Sequence, residues 1–294
     1  MIMRKLVFII FAVFILISCS NNETTLENDS SQMDNNTSQM ESLKQHFIPK
    51  IKGVWVLTDY INEIEKTKSP LKSRHKLYEN NFNTITTMVI DVANQSDSIE
   101  VGAGMNNHEG YDFVIYFQAG KDENRLKTNI IDYDEESNFY EIGYEIKNNI
   151  TYLFLYHYDK TNKLIGKTQF SKVVEETQDN DLGFGLQYMV NKKLLSGNFT
   201  LIDSTDRKTK IKFNADGTLT GFLNFKTYYV LTDYLGAAVI PDIDMVNFRN
   251  KENWELYAFR VVKDTILLYS VIYDEEIEEA MTFDKLIYKL VRMK

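Results

Sequence analysis

The sequence predicts an all-β fold: two tandem eight-stranded antiparallel meander barrels, each preceded by a short helix. Three observations carry this. First, a strand motif occurs twice. Gly53-Val54-Trp55-Val56-Leu57-Thr58-Asp59 and Gly197-Asn198-Phe199-Thr200-Leu201-Ile202-Asp203 both read G-x-[WF]-x-L-x-D, at a constant offset of 144 residues. Second, each copy follows a stretch of helical character, 41–51 and 182–195, and precedes a long series of short strand-like segments. Third, turn chemistry separates those segments. Asn214-Ala215-Asp216-Gly217 is a hairpin signal, because Asp-Gly favours the positive φ of tight turns. Many short strands with short connections indicate a barrel or sandwich rather than βαβ units. Eight meandering strands can close and so remove exposed edges.

At the N-terminus, Arg4-Lys5 is followed by an apolar run, 6–17, and then Ser18-Cys19-Ser20. A basic start, an apolar core and a small residue before the cut define an export signal, here 1–18. A membrane-spanning helix needs roughly 20 apolar residues, more than this run supplies. Leu16-Ile17-Ser18-Cys19 resembles the lipobox of bacterial lipoprotein signal peptides. That resemblance implies lipidation of Cys19 and a place in the cell envelope, anchored to the membrane. Ser20 rather than Asp after the cysteine implies the outer membrane, with the face that carries the domain left open. Residues 19–41 are mainly Asn, Ser, Thr, Asp and Glu without an aromatic, and are expected to be a disordered tether.

The first β-domain is expected over 42–178, with strands at 53–60, 84–92, 97–101, 111–119, 125–132, 138–147, 150–158 and 164–174. A polar insertion, 61–81, contains Pro70. The second is expected over 179–294, with strands at 197–203, 208–213, 217–222, 226–232, 243–248, 252–261, 264–273 and 283–292. Leu286, Tyr288 and Leu290 alternate with Lys285 and Lys289, the period of a half-buried strand. The stretch 266–273 is apolar on both faces, so its outer side is expected to be covered.

A helix, then Gly53-x-Trp55 on a first strand, then an eight-strand meander resembles the lipocalin superfamily, and more closely the lipocalin-like domains of bacterial lipoproteins. The resemblance implies a structural motif at one barrel end. The glycine admits the chain closely, the aromatic plugs the closed end, and an Arg near the last strand packs across the ring. Gly53 and Trp55 match it, as does Gly197, with Phe199 in place of the Trp. Arg292 is placed to be the packing residue in the second half; the first half has Lys172 there.

After removal of the signal, 31 Lys and Arg stand against 42 Asp and Glu, a net charge of −11. Such a chain carries no electrostatic footprint for nucleic acid. An anionic membrane surface would repel it as a whole, which leaves anchoring to the lipid. Cys19 is the single cysteine, so no disulfide framework exists and stability must come from packing. The four histidines, His46, His75, His108 and His157, have no metal-ligand spacing. No phosphate loop, nucleophile elbow or HExxH occurs. Two acidic runs, Asp132 to Glu136 and Asp274 to Glu279, lack the glycine turn of a calcium loop and read as solvated hairpin tips.

The expectation is therefore a non-enzymatic binding module without cofactor or metal, for a small apolar or amphipathic ligand or an envelope component. Tyr144, Tyr152, Phe154, Tyr156, Tyr228, Tyr257 and Tyr269 are the candidate lining of a ligand cup, against the alternative that they pack a core. The alternative function is a protein-interaction module: an adaptor, inhibitor or immunity-type lipoprotein. A hydrolase of envelope polymers would need acidic or histidine side chains converging in one cleft.

Overall fold

The computed structural model describes residues 27–79, 84–93, 96–176, 181–234, 243–274 and 279–293. The signal and Cys19 lie outside them. The chain divides into two compact units, 1–39 and 40–294. In the first, the described residues are helical. Apart from the start of the first helix, all that follows concerns the second.

Helix α1 (Glu27–Ile51) leads into β1 (Gly53–Leu57), then α2 (Thr58–Thr67), α3 (Pro70–Ser73) and a 3-10 turn (Arg74–Leu77). The meander continues with β2 (Ile85–Ile90), β3 (Ser98–Met105), β4 (Glu109–Ala119), β5 (Arg125–Thr128), β6 (Phe139–Lys147), β7 (Ile150–Tyr158) and β8 (Leu164–Val174). After α4 (Phe184–Leu194) come β9 (Gly197–Asp203), β10 (Lys208–Phe213), β11 (Leu219–Thr220) and β12 (Thr227–Val230). The last four strands are β13 (Asp244–Arg249), β14 (Trp254–Val262), β15 (Thr265–Asp274) and β16 (Glu279–Arg292). The first eight strands form a closed antiparallel barrel. The second eight run β11-β10-β9-β16-β15-β14-β13-β12, and a single bridge, Thr218 to Thr227, joins the two ends. The fold is all-β, as the doubled motif and the turn signals predict.

Two local expectations are corrected. The tether was expected over 19–41, but α1 begins at Glu27. Phe47 and Ile51 on its last turns are fully buried. A helix nucleated there propagates outward through Glu41, Met40 and Gln39 at little cost, because nucleation is the expensive step. The first strand was expected over 53–60, but it ends at Leu57 and α2 starts at once. Tyr60, Ile61 and Ile64 repeat at helical spacing and are buried. Lys68, at φ 56°, closes α2 by donating its N–H to the Ile64 carbonyl at 2.8 Å. Ser69 then caps α3, with Pro70 at its first position.

Hairpin turns supply the rest of the closure. Asn148-Asn149, at φ 51° and 62°, make the tight two-residue turn between β6 and β7. The loops at Asp159 and Asp203 share one construction, D-x-T-x-[KR]. Each carboxylate accepts from the amide and hydroxyl of the Thr two residues on, and from the amide four residues on.

Candidate functional site

The repeated motif marks the same place in both barrels. Gly53 and Gly197 have φ of 127° and 144°, a region open in practice only to glycine. A Cβ at Gly53 would sit 2.7 Å from the Val174 carbonyl oxygen of the closing strand β8; one at Gly197 would strike the Arg292 guanidinium. Two residues on, the aromatic is buried under a cation from its strand partner. Lys172 Nζ lies 5.0 Å from the Trp55 ring centre, and the Arg292 guanidinium 4.6 Å from that of Phe199. Trp55 Nε1 donates to the Ile51 carbonyl at 2.7 Å, and Arg292 Nη1 to the Ser196 carbonyl at 2.7 Å. Gly197→Ala is therefore expected to destabilise the protein by about 1–3 kcal/mol, through backbone strain and displacement of Arg292. The urea midpoint checks this.

Both barrel interiors are filled by their own side chains. In the first, Phe113, Ile115, Leu126, Ile142, Leu153 and Phe170 belong with Trp55 and Phe47 to the buried core. In the second, Phe199, Phe213, Phe248 and Phe259 do the same. Its mouth is stoppered by Phe222 and Phe225 from the β11–β12 loop, which turns inward at Gly221 (φ 82°) and Leu223 (φ 47°). Phe222 lies edge-on to Phe248, with ring centres 4.6 Å apart, and to Tyr288 at 5.3 Å.

The seven candidate cup residues are not brought together. Tyr144, Tyr228 and Tyr257 point inward as packing. The Tyr144 hydroxyl pairs with His46 Nε2 at 2.7 Å, Tyr228 donates to the Asn214 carbonyl at 2.7 Å, and Tyr257 to Glu255 at 2.5 Å. Tyr152, Phe154, Tyr156 and Tyr269 lie on the outer walls. Strand β7 is apolar on both faces, so its alternation does not reveal which face turns in; Leu153 and Leu155 take the inside.

The outward aromatics of β7 are covered by cations. The Arg125 guanidinium sits 3.9 Å from the Tyr156 ring centre, and Lys167 Nζ 4.0 Å from that of Phe154. Gly143 leaves the room for this stack, since a Cβ there would come 3.1 Å from both Arg125 Cγ and Tyr156 Cε2. Glu145 binds Lys167 and Lys147. Burial works to raise its carboxyl, and the two ammonium groups outweigh this and hold it at about 2. The long stems of these cations cover the rings, so this wall is closed.

The hollows lie on outer surfaces. A groove of about 750 Å³ runs over β3 and β4 of the first barrel. Asp91, Glu100 and Asp112 stand along it with Ser98 and Asn129, and no Lys or Arg lines it among the described residues. Its floor is low because Gly102 has no side chain, and Leu182 nests against that bare backbone. A Cβ at Gly102 would come 2.6 Å from Leu182 Cδ2. Beyond Leu182 a second hollow of about 240 Å³ opens at the seam between the barrels. There Asn107 Nδ2 donates to the Thr232 carbonyl at 3.0 Å, and Gln187 Nε2 to the Val230 carbonyl at 3.0 Å. The side-chain carbonyl oxygens of both amides are buried and meet no donor among the described residues. His108 meets Asp233 across the same seam at 2.7 Å, and that carboxylate holds the imidazole above its ordinary range. The groove and seam together present carboxylates and carbonyls, a surface that suits a donor-rich, cationic partner.

One buried polar centre was not legible in sequence. Asp132 opens an acidic run that otherwise faces solvent, yet it is 6 % exposed. It accepts from the Asp134 amide at 2.9 Å, the Glu135 amide at 3.2 Å, Asn138 Nδ2 at 2.8 Å and His157 Nε2 at 2.7 Å. His157 stacks flat on Tyr140 with ring centres 4.3 Å apart. The spacing Asp-x-[DE]-[DE] before an Asn, a side-chain-capped turn, was the available signal. The second acidic run lies largely outside the described residues. Among the described residues, no group of three or more His, Cys, Asp or Glu is placed to hold a metal ion.

No protein-family model, no curated protein and no solved structure matches this chain. Paired barrels with outward grooves fit a binding module in general terms, and the further reading rests on the site itself.

Proposed function

We propose that this chain is a non-enzymatic envelope lipoprotein, anchored through lipidated Cys19, whose barrels are a scaffold for recognising another polypeptide. The lipobox-like run Leu16 to Cys19 supports the anchor. The observation that carries the binding reading is that large apolar side chains fill the barrel interiors among the described residues, while the acidic groove lies outside. This favours the interaction module over a small-ligand carrier. A segment bearing Lys or Arg would pair with Asp91, Glu100 and Asp112 along the groove. The lipocalin-like motif then serves architecture: it closes the barrels and leaves their walls for recognition.

The test is crosslinking in native membranes with wild-type protein and with Asp91→Lys/Glu100→Lys/Asp112→Lys. The expected result is a defined protein adduct that the triple variant loses while its thermal midpoint is kept. Adducts equal in both proteins, or a co-purifying small molecule seen by native mass spectrometry, would sink the reading. Cys19→Ser is expected to move the protein from the membrane fraction to the soluble one.

A further inference from the structure

The outer wall of the second barrel has the opposite character to the groove. Along β10 the sequence Lys208-Thr209-Lys210-Ile211-Lys212-Phe213 alternates strictly. Ile211 and Phe213 are buried inside, and the three lysines are exposed on the outer face. Successive outward residues on a strand lie about 7 Å apart, so the ammonium groups form a row. Register extends it sideways. Lys208, Ile202 and Lys289 stand in one line across β10, β9 and β16; Lys210, Thr200 and Val291 stand in the next. Lys212 is flanked by Asn198 and Thr220, and with Lys210 and Met293 these line a shallow hollow of about 380 Å³.

Two properties separate this wall from an ordinary solvated face. The outward positions of β9, β10 and β11, together with Lys289 and Val291, include no carboxylate, in a chain whose acidic residues outnumber its basic ones by 42 to 33. None of the four lysines takes part in an ion pair among the described residues, whereas Lys44, Lys66, Lys76, Lys167 and Lys193 do. Like charges at neighbouring positions of a sheet cost stability, so an unrelieved row asks for an anionic counterpart. Between the lysines stand exposed aliphatics, Val291 at 37 % and Met293 at 41 %, with Val262 at 51 % near them at the end of β14. A soluble polyanion has no use for these. An anionic bilayer surface satisfies both: the ammonium groups meet phosphate headgroups and the aliphatics enter the headgroup boundary.

We propose that this wall of the second barrel docks on an anionic phospholipid surface, which rests on the reading of the chain as a membrane-anchored lipoprotein and fixes how it stands there. The net negative charge repels the rest of the molecule, so the contact orients the protein as well as holding it. The anchor supplies proximity and the lysine wall supplies the footprint.

The test uses the full chain purified from its own membrane and reconstituted into vesicles of phosphatidylcholine, with or without phosphatidylglycerol. An amine-reactive reagent labels lysines, and mass spectrometry reads each site against Lys160 as reference. Labelling of Lys208, Lys210, Lys212 and Lys289 is expected to slow on the order of tenfold in the anionic vesicles, and the effect to vanish in high salt. In Lys208→Glu/Lys210→Glu/Lys212→Glu, Lys289 is expected to lose its protection. Equal labelling in both kinds of vesicle overturns the proposal. The same spectra read the mass at Cys19, so a lipidated protein with an unprotected wall fails here alone. A protected wall on a protein without lipid upholds the footprint and removes the anchor.

Discussion

Phe222→Ala is expected to have the largest effect of any single truncation in the second barrel, about 3–5 kcal/mol of lost stability. The side chain is fully buried, and its ring meets those of Phe225, Phe248, Tyr257 and Tyr288. It is held by a loop, not by a strand. Removing it therefore deletes the transfer energy of a benzyl group and leaves the mouth open above a wall of aromatic rings that cannot all move in. The expected second consequence is a new apolar hollow, which a small aromatic molecule fills, raising the thermal midpoint of the variant and not that of wild type. Urea unfolding of both proteins gives the first number, and melting with and without benzene gives the second. A loss below about 1 kcal/mol would mean that the loop is not a stopper, and the case against a ligand cup would fall with it.

That experiment bears directly on function. If one residue converts the barrel from filled to receptive, the natural sequence has closed the interior and left binding to the walls. Those walls are chemically divided. The groove of the first barrel gathers Asp91, Glu100 and Asp112, and the wall of the second gathers Lys208, Lys210, Lys212 and Lys289. A net charge alone conceals this, because it averages two surfaces of opposite sign.

The strand order was legible where turn residues separate the segments, as at Asp216-Gly217, whose glycine takes φ 83°. Gly53 and Gly197 stood out in the sequence because the motif around them repeats, and their φ of 127° and 144° supplies the backbone reason. Orientation was not legible. In β7 the residues Tyr152 to Tyr158 are apolar or aromatic at every position except His157, so period-two reasoning gives no sign, and cations from β5, β6 and β8 decide which face is outside. The stopper was missed for a related reason: Phe222 falls at the end of the strand expected over 217–222 and Phe225 in the connection before 226, and only tertiary packing turns both inward. The acidic groove depends on Gly102, and the seam hollow on Gly104 and Gly110, with Leu182 arriving at both from a distant segment, a juxtaposition that no local pattern encodes.

Asp132→Ala is expected to cost about 2–4 kcal/mol, the second of the large effects, and to flatten the acid limb of the stability profile. The carboxylate is the common acceptor for two backbone amides, Asn138 and His157, so its removal leaves several buried donors facing each other. Burial works to raise its carboxyl, and the hydrogen bonds from Asn138, Asp134, Glu135 and His157 outweigh it and hold it below the usual carboxylate range. The sign follows from linkage. A group more acidic in the folded state than in the unfolded chain stabilises the fold above its unfolded value, near 3.9 for Asp, and that contribution is lost as pH falls through the folded value. Wild type is therefore expected to lose stability below about pH 4 more steeply than Asp132→Ala. Asp132→Asn keeps the shape but brings an N–H₂ among donors, so it is expected to behave as the Ala variant does. Urea midpoints between pH 7 and pH 3 for the three proteins check this. Parallel profiles would show that Asp132 carries no differential charge, and that the loop 129–138 is held by its backbone alone.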